Sequence, residues 1–166
     1  KKSLVSIAIN NSNKEDQQII NNNKKTYKKL LTTKYKYEML IIDAFSDNKS
    51  LAEKEAGVGL ARKIAVDNSL DYSHSNSIFC FIDADTELSK NYLTVIHSSY
   101  IENQWNSATV NFKHSRDEPK TTRFIDDYEN FLKETSGNLK NSASPYSYVP
   151  LGSTMICTQR AYVAVG

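Results

Sequence analysis

Glycine is scarce in this chain, with five in 166 residues, and there are only three prolines, two cysteines and one tryptophan. The shortage of glycine removes whole classes of phosphate cradle. No glycine-rich run ends in Gly-Lys-Ser or Gly-Lys-Thr, so a P-loop is excluded. Gly57-Val58-Gly59 does not make a dinucleotide fingerprint, because the third glycine position holds Arg62 and no strand directly precedes the segment. No run of about 18 apolar residues exists, so nothing reads as a membrane span. The opening Lys1-Lys2-Ser3-Leu4-Val5-Ser6-Ile7 is too short in apolar content for a signal peptide and reads as an immediate strand. Cys80 and Cys157 both sit in apolar runs and read as buried free thiols, which suits a reducing, cytoplasmic compartment. No repeat or low-complexity segment occurs.

The formal charge is +2, with 24% charged and 39% hydrophobic residues. That composition fits one globular domain over 1–166 and gives no field that calls for nucleic acid or an anionic membrane. Lys24, Lys25, Lys28, Lys29, Lys34 and Lys36 cluster around one predicted helix and read as its solvated face.

Strand and helix patterns alternate. Leu4 to Ile9 reads as a strand ended by Asn10-Asn11-Ser12-Asn13. A helix follows, carrying Ile19, Ile20, Tyr27, Leu30 and Leu31, with Asn13 as its expected cap. Tyr37 to Ile42 is a second strand and 51–70 a second helix. Ile78 to Ile82 is a third, fully apolar strand. Ser89 is the expected cap of a helix bearing Tyr92, Leu93, Ile96 and Tyr100. Ala108, Val110 and Phe112 alternate as in a half-buried strand, and His114 to Lys120, with Pro119, reads as a loop. A helix is expected over 121–136 with Gly137 as its stop, then a connector over 142–145, a strand over 154–158 and a further element over 160–165. This order predicts an α/β sheet with parallel crossovers.

Acids follow two of the strands. Asp43 and Asp47 come after the second, and Asp83-Ala84-Asp85 after the third. In an open α/β sheet ligands bind at the carboxyl ends of the strands, so these four acids are expected on one edge. Two carboxylates at the end of a buried strand suit a hard divalent cation that also carries substrate oxygens. An equally good reading of the isolated pair is that Asp83 or Asp85 caps the next helix. An EF-hand is excluded, because loop positions six and twelve hold Leu88 and Thr94. Arg62 and Lys63 read as surface charge, as partners of a diphosphate, or as partners of the Asp43 and Asp47 side of the cleft. His74, His97 and His114 show no metal spacing and read as surface or loop residues.

Taken in order, these segments resemble family 2 glycosyltransferases of the GT-A fold. Val5-Ser6-Ile7-Ala8-Ile9 with Asn10-Asn11-Ser12-Asn13 is similar to that family's first strand and nucleotide loop. Ile41-Ile42-Asp43-Ala44-Phe45-Ser46-Asp47 resembles its second-strand motif, Gly59-Leu60-Ala61-Arg62-Lys63 its Gly-x-Ala-Arg-Asn segment, and Asp83-Ala84-Asp85 its DxD motif. Gly152-Ser153-Thr154-Met155 through Gly166 resembles the run leading to its acceptor-side Gly-Gly loop. Asn10 replaces the usual proline, Lys63 the usual asparagine, and Ala44 a second aspartate found in many members.

The resemblance implies a GT-A Rossmann-like three-layer α/β/α sandwich with a mostly parallel central sheet. It implies transfer of a sugar, with inversion, from a UDP- or GDP-sugar to a hydroxyl of a glycan or lipid-linked acceptor, as in polysaccharide biosynthesis. Asp85 would ligate Mn²⁺ or Mg²⁺. Asp83 would join it at the metal or hold the ribose. Asp43 would accept a hydrogen bond from the base, Arg62 would support base or phosphates, and Asn10 and Ser12 would line the base. The family's general base follows the Gly-Gly loop, so it is expected beyond Gly166, with the chain truncated and its own activity left open. The location implied is the cytoplasm, with a peripheral position on the inner face of the membrane left open. Two other readings stand beside this one. A non-catalytic sugar-nucleotide-binding module would keep the donor residues alone. A sugar nucleotidyltransferase would open with a glycine-rich basic loop, which Asn10-Asn11-Ser12-Asn13 lacks.

Overall fold

A computed structural model describes residues 2–115, 119–145, 147 and 152–165. The chain is mixed α/β and divides into two compact units, Lys1–His74 and Ser75–Gly166.

The first unit holds β1 (Leu4–Asn10), α1 (Gln17–Thr32), β2 (Glu38–Ala44) and α2 (Val58–Asp67). β1 and β2 pair in parallel, with Ile7 opposite Ile41, Ile9 opposite Asp43 and Asn10 opposite Ala44. The runs Leu-Val-Ser-Ile-Ala-Ile and Met-Leu-Ile-Ile have no polar-out alternation, as expected of strands covered on both faces. Both helices pack on this pair. α2 is tied to β1 by the Ser6 hydroxyl, which donates to the Ala65 carbonyl at 2.8 Å. Ile9, Ala44 and Phe45 are buried at the strand ends, where Tyr27 of α1 meets Phe45 edge to face at 5.6 Å.

Two helix starts differ from expectation, and one contact explains both. Asp16, not Asn13, caps α1, its Oδ1 accepting the Gln18 N–H at 3.0 Å. The Asn13 N–H instead donates to the Leu51 carbonyl at 2.7 Å, and the Leu51 N–H to the Asn11 carbonyl at 3.0 Å. Ser12 and Leu51 thus form a parallel bridge. Leu51 is extended for this reason. Residues 52–56 turn, and α2 begins at Val58 after Gly57 rather than at 51.

The second unit holds β3 (Ile78–Cys80), α3 (Tyr92–Asn103), β4 (Ser107–Thr109), α4 (Pro119–Asn141), β5 (Met155–Thr158) and α5 (Gln159–Val165). β5 is central and runs antiparallel to both neighbours, with Cys157 opposite Phe79 on one side and Ser107 on the other. β3 and β4 therefore run the same way. Thr158, fully buried, ends β5 and starts α5, its Oγ1 accepting the Ala161 N–H at 3.3 Å. Ile156, Ile96 and Tyr100 are buried in this unit, and Tyr100 meets Trp105 edge to face at 5.2 Å.

The ladder of β3 stops at Cys80 rather than Ile82, although the Phe81 N–H still reaches the Met155 carbonyl at 3.1 Å. α4 is longer than expected at both ends. Pro119 is its first residue, where a missing N–H and a fixed φ cost nothing, so proline opens the helix instead of ending a loop. Gly137 lies inside the helix and does not stop it. Both cysteines are free thiols. Among the described residues, no helix is long and apolar enough to cross a membrane.

Candidate functional site

In the first unit, the parallel strands deliver Asn10, Ser12 and Asp43 to one edge. Asp43 is the next-to-last residue of β2, and its carboxylate folds back on the turn that follows. Oδ1 accepts the N–H groups of Phe45 (3.2 Å) and Ser46 (3.0 Å). Oδ2 accepts the Ser46 hydroxyl (2.6 Å) and the Lys49 ammonium (3.3 Å). Burial alone would raise the Asp43 pKa, but the hydrogen bonds from Ser46, Phe45 and Lys49 outweigh it and hold the pKa below its usual 3.8. A carboxylate offers about four lone-pair sites, and all four have internal donors. Lys49 is the exposed member of this set, so it is the donor that an incoming N–H would replace.

The loop after β1 is held by a residue that sequence reasoning passed over. Asn11 is buried, its Nδ2 donating to the Ser12 carbonyl at 2.8 Å and its Oδ1 accepting from Asn23 Nδ2 at 2.9 Å. Asn23 also reaches the Asn10 carbonyl at 3.2 Å. The Ser12 hydroxyl accepts the Lys14 N–H at 3.2 Å, so it shapes the loop first. A run of four polar residues signals a turn. The signal for Asn11 in particular was an asparagine on the buried stripe of α1, Asn23, which needed an amide partner. Arg62 lies half-buried on the second turn of α2.

The acid pair belongs to the second unit, so the four acids expected together divide between the units, Asp43 and Asp47 in the first, Asp83 and Asp85 in the second. Asp83 begins a turn, its carbonyl accepting the Thr86 N–H at 3.0 Å. Asp83 is half-buried and Asp85 exposed, and the Asp85 carboxylate engages no partner among the described residues. The helix-cap reading of this pair fails. α3 begins at Tyr92, its capping position is Asn91, and no side chain bonds there. Ser89, the expected cap, contributes only its carbonyl to the Tyr92 N–H at 3.0 Å.

Among the described residues, no three His, Cys, Asp or Glu side chains converge in a metal-binding group. Two carboxylates without a third ligand do not make a closed protein cage. They do match the donor set of a Mg²⁺-type ion, which takes one or two carboxylates and fills its shell with water and phosphate oxygens. A groove of about 410 Å³ in the same unit runs between α3 and β4, with Asn91, Tyr92, Trp105, Val110 and Asn111 on its walls, and neither Asp83 nor Asp85 lines it.

His114, expected to be an ordinary loop residue, is anchored. Its backbone N–H and its Nδ1 both face Glu129 Oε1, at 2.9 and 3.1 Å, and Phe112 and Tyr128 present ring edges to it. Glu129 itself is buried on α4. A buried carboxylate needs such partners. The fifteen-residue separation hid the pair from any local pattern. Comparison of the chain with protein-family models, with curated proteins and with solved structures finds no match.

Proposed function

We propose that this chain is the donor-binding part of a metal-dependent glycosyltransferase of the GT-A type. The observation that carries the reading is the turn Asp83-Ala84-Asp85. It follows a strand, it caps no helix, and it leaves the Asp85 carboxylate exposed to solvent. An acid in that position has no structural task in the described residues and is open to an incoming ligand. The parallel β1–β2 pair with α1 and α2 packed on it supports an α/β reading of the first unit.

In this reading Asp85 holds a divalent cation, with Asp83 beside it or on the ribose. A bound Mn²⁺ or Mg²⁺ supplies Lewis-acid stabilisation of the departing nucleoside diphosphate. The protein's own work is positional. Asp43 offers an acceptor for a base N–H at the position Lys49 now occupies, Asn10 and Ser12 border that edge, and Arg62 adds positive charge for base or phosphate. The donor is a UDP- or GDP-sugar and the acceptor a glycan or lipid-linked hydroxyl.

Titration calorimetry of the chain with UDP and with GDP, with and without Mn²⁺, tests this. Binding that needs the metal and disappears in Asp85→Ala is the expected result. Nucleotide binding that survives Asp85→Ala unchanged, or needs no metal, refutes the role given to the pair.

A further inference from the structure

The net charge of +2 conceals a sharp asymmetry. From Gln17 to Tyr37 there are six lysines and no acid, so the other residues together carry four more acids than bases. All six lysines are exposed, and none forms an ion pair among the described residues. On a helix of 3.6 residues per turn, Lys24, Lys25, Lys28 and Lys29 fall within an arc of about 140°. The remaining residues of that arc, Gln17, Gln18, Asn21 and Thr32, are uncharged. The opposite face carries Ile20, Asn23, Tyr27 and Leu30, half-buried on the first unit. A merely solvated face intersperses both signs, because like charges at i and i+4 destabilise a helix. Here Lys24–Lys28 and Lys25–Lys29 are such pairs, uncompensated.

Apolar groups border the lysines. Leu31, on one flank of the buried stripe, is 57% exposed, and Ile19, on the other, is 45% exposed. Past the end of α1, Lys34 and Lys36 alternate with Tyr35 and Tyr37, whose rings lie 5.6 Å apart at a shallow notch that Lys2 and Glu38, paired at 3.6 Å, also line. The cluster has no arginine, the residue whose planar fork suits fixed phosphates in nucleic acid. Lysine ammonium groups on flexible stems, flanked by aliphatic and tyrosine side chains, suit a fluid surface of charged headgroups over hydrocarbon. We infer that the lysine face of α1 docks on an anionic lipid bilayer. This surface is independent of the sugar-transfer reading, since it needs neither nucleotide nor metal.

Flotation of the 166-residue chain with vesicles tests the inference. Expected is binding to vesicles of phosphatidylcholine mixed with phosphatidylglycerol, none to phosphatidylcholine alone, and loss of binding as salt rises. Each lysine near such a surface is worth about fivefold in affinity. The quadruple variant Lys24→Gln/Lys25→Gln/Lys28→Gln/Lys29→Gln should therefore lose at least about a hundredfold. The triple variant Lys90→Gln/Lys133→Gln/Lys140→Gln, with charges removed elsewhere, should bind as the parent does. Circular dichroism confirms that both variants are folded. Equal binding to neutral and anionic vesicles, no binding to either, equal loss in the two variants, or preference for an RNA oligonucleotide over the anionic vesicles overturns the inference.

Discussion

Asp43 is the residue where structural and functional demands can be separated by a pair of substitutions. Asp43→Ala removes the acceptor for two backbone N–H groups and one hydroxyl, all in a half-buried turn. Hydrogen bonds to a charged acceptor contribute about 1.5–3 kcal/mol each when buried, and water reaches part of this turn, so the loss should be about 2–3 kcal/mol. Asp43→Asn keeps Oδ1 for the Phe45 and Ser46 N–H groups, and its Nδ2 can donate to the Ser46 hydroxyl. It loses the charge and the contact with the exposed Lys49, together about 1 kcal/mol or less. The pH dependence follows from the lowered pKa. The folded value lies below 3.8, so the carboxylate's contribution is fully present well above the unfolded value and is lost as pH falls through the folded one. Urea unfolding of the parent and of Asp43→Asn should differ most at neutral pH and converge at acid pH. A gap that widens on acidification, or equal destabilisation by alanine and asparagine, refutes the account of the turn. If the turn survives in Asp43→Asn and nucleotide affinity still falls, the acceptor role in base binding gains independent support.

Gly137 sits in the interior of α4 with a negative φ, and a Cβ there would meet no atom within 4 Å. Gly137→Ala should therefore raise stability by about 0.5–1 kcal/mol and Tm by about 1–4 °C, read by thermal melting, and a fall in Tm would show an unrecognised contact. Burial pushes the Cys80 thiol up to about 11 and also raises Cys157. Iodoacetamide at pH 8 should alkylate Cys80 about a hundredfold more slowly in the folded chain than in urea, and equal rates would contradict its burial.

The sequence disclosed strands more readily than directions or partners. Runs made almost wholly of apolar residues before Asn10, Asp43 and Asp83 marked three strands and their polar ends, because a strand covered on both faces leaves few places for a polar side chain. The same runs say nothing of which neighbour a strand meets. β5 runs antiparallel to both β3 and β4, and that follows from tertiary pairing between residues about eighty positions apart for β3 and about fifty for β4. Helix starts failed where a long-range contact outweighed local preference. Leu51 has helical company in sequence, yet the backbone of Asn11 and Asn13 claims it as an extended residue.

Side-chain roles were legible to the extent that a residue type has few alternatives. An acid after a strand can cap the next helix or meet a ligand, and the start of α3 at Tyr92 removes the first of these for Asp83 and Asp85 without testing the second. Histidine and asparagine have many uses, so the pairing of His114 with Glu129 and of Asn11 with Asn23 depends on the tertiary fold. Lysines are the opposite case. Each is unremarkable alone, and the pattern carries meaning only after the helix places four of them on one arc and no acid among the described residues pairs with them. The net charge of a whole chain therefore underestimates a surface whenever compensating acids lie elsewhere in the chain.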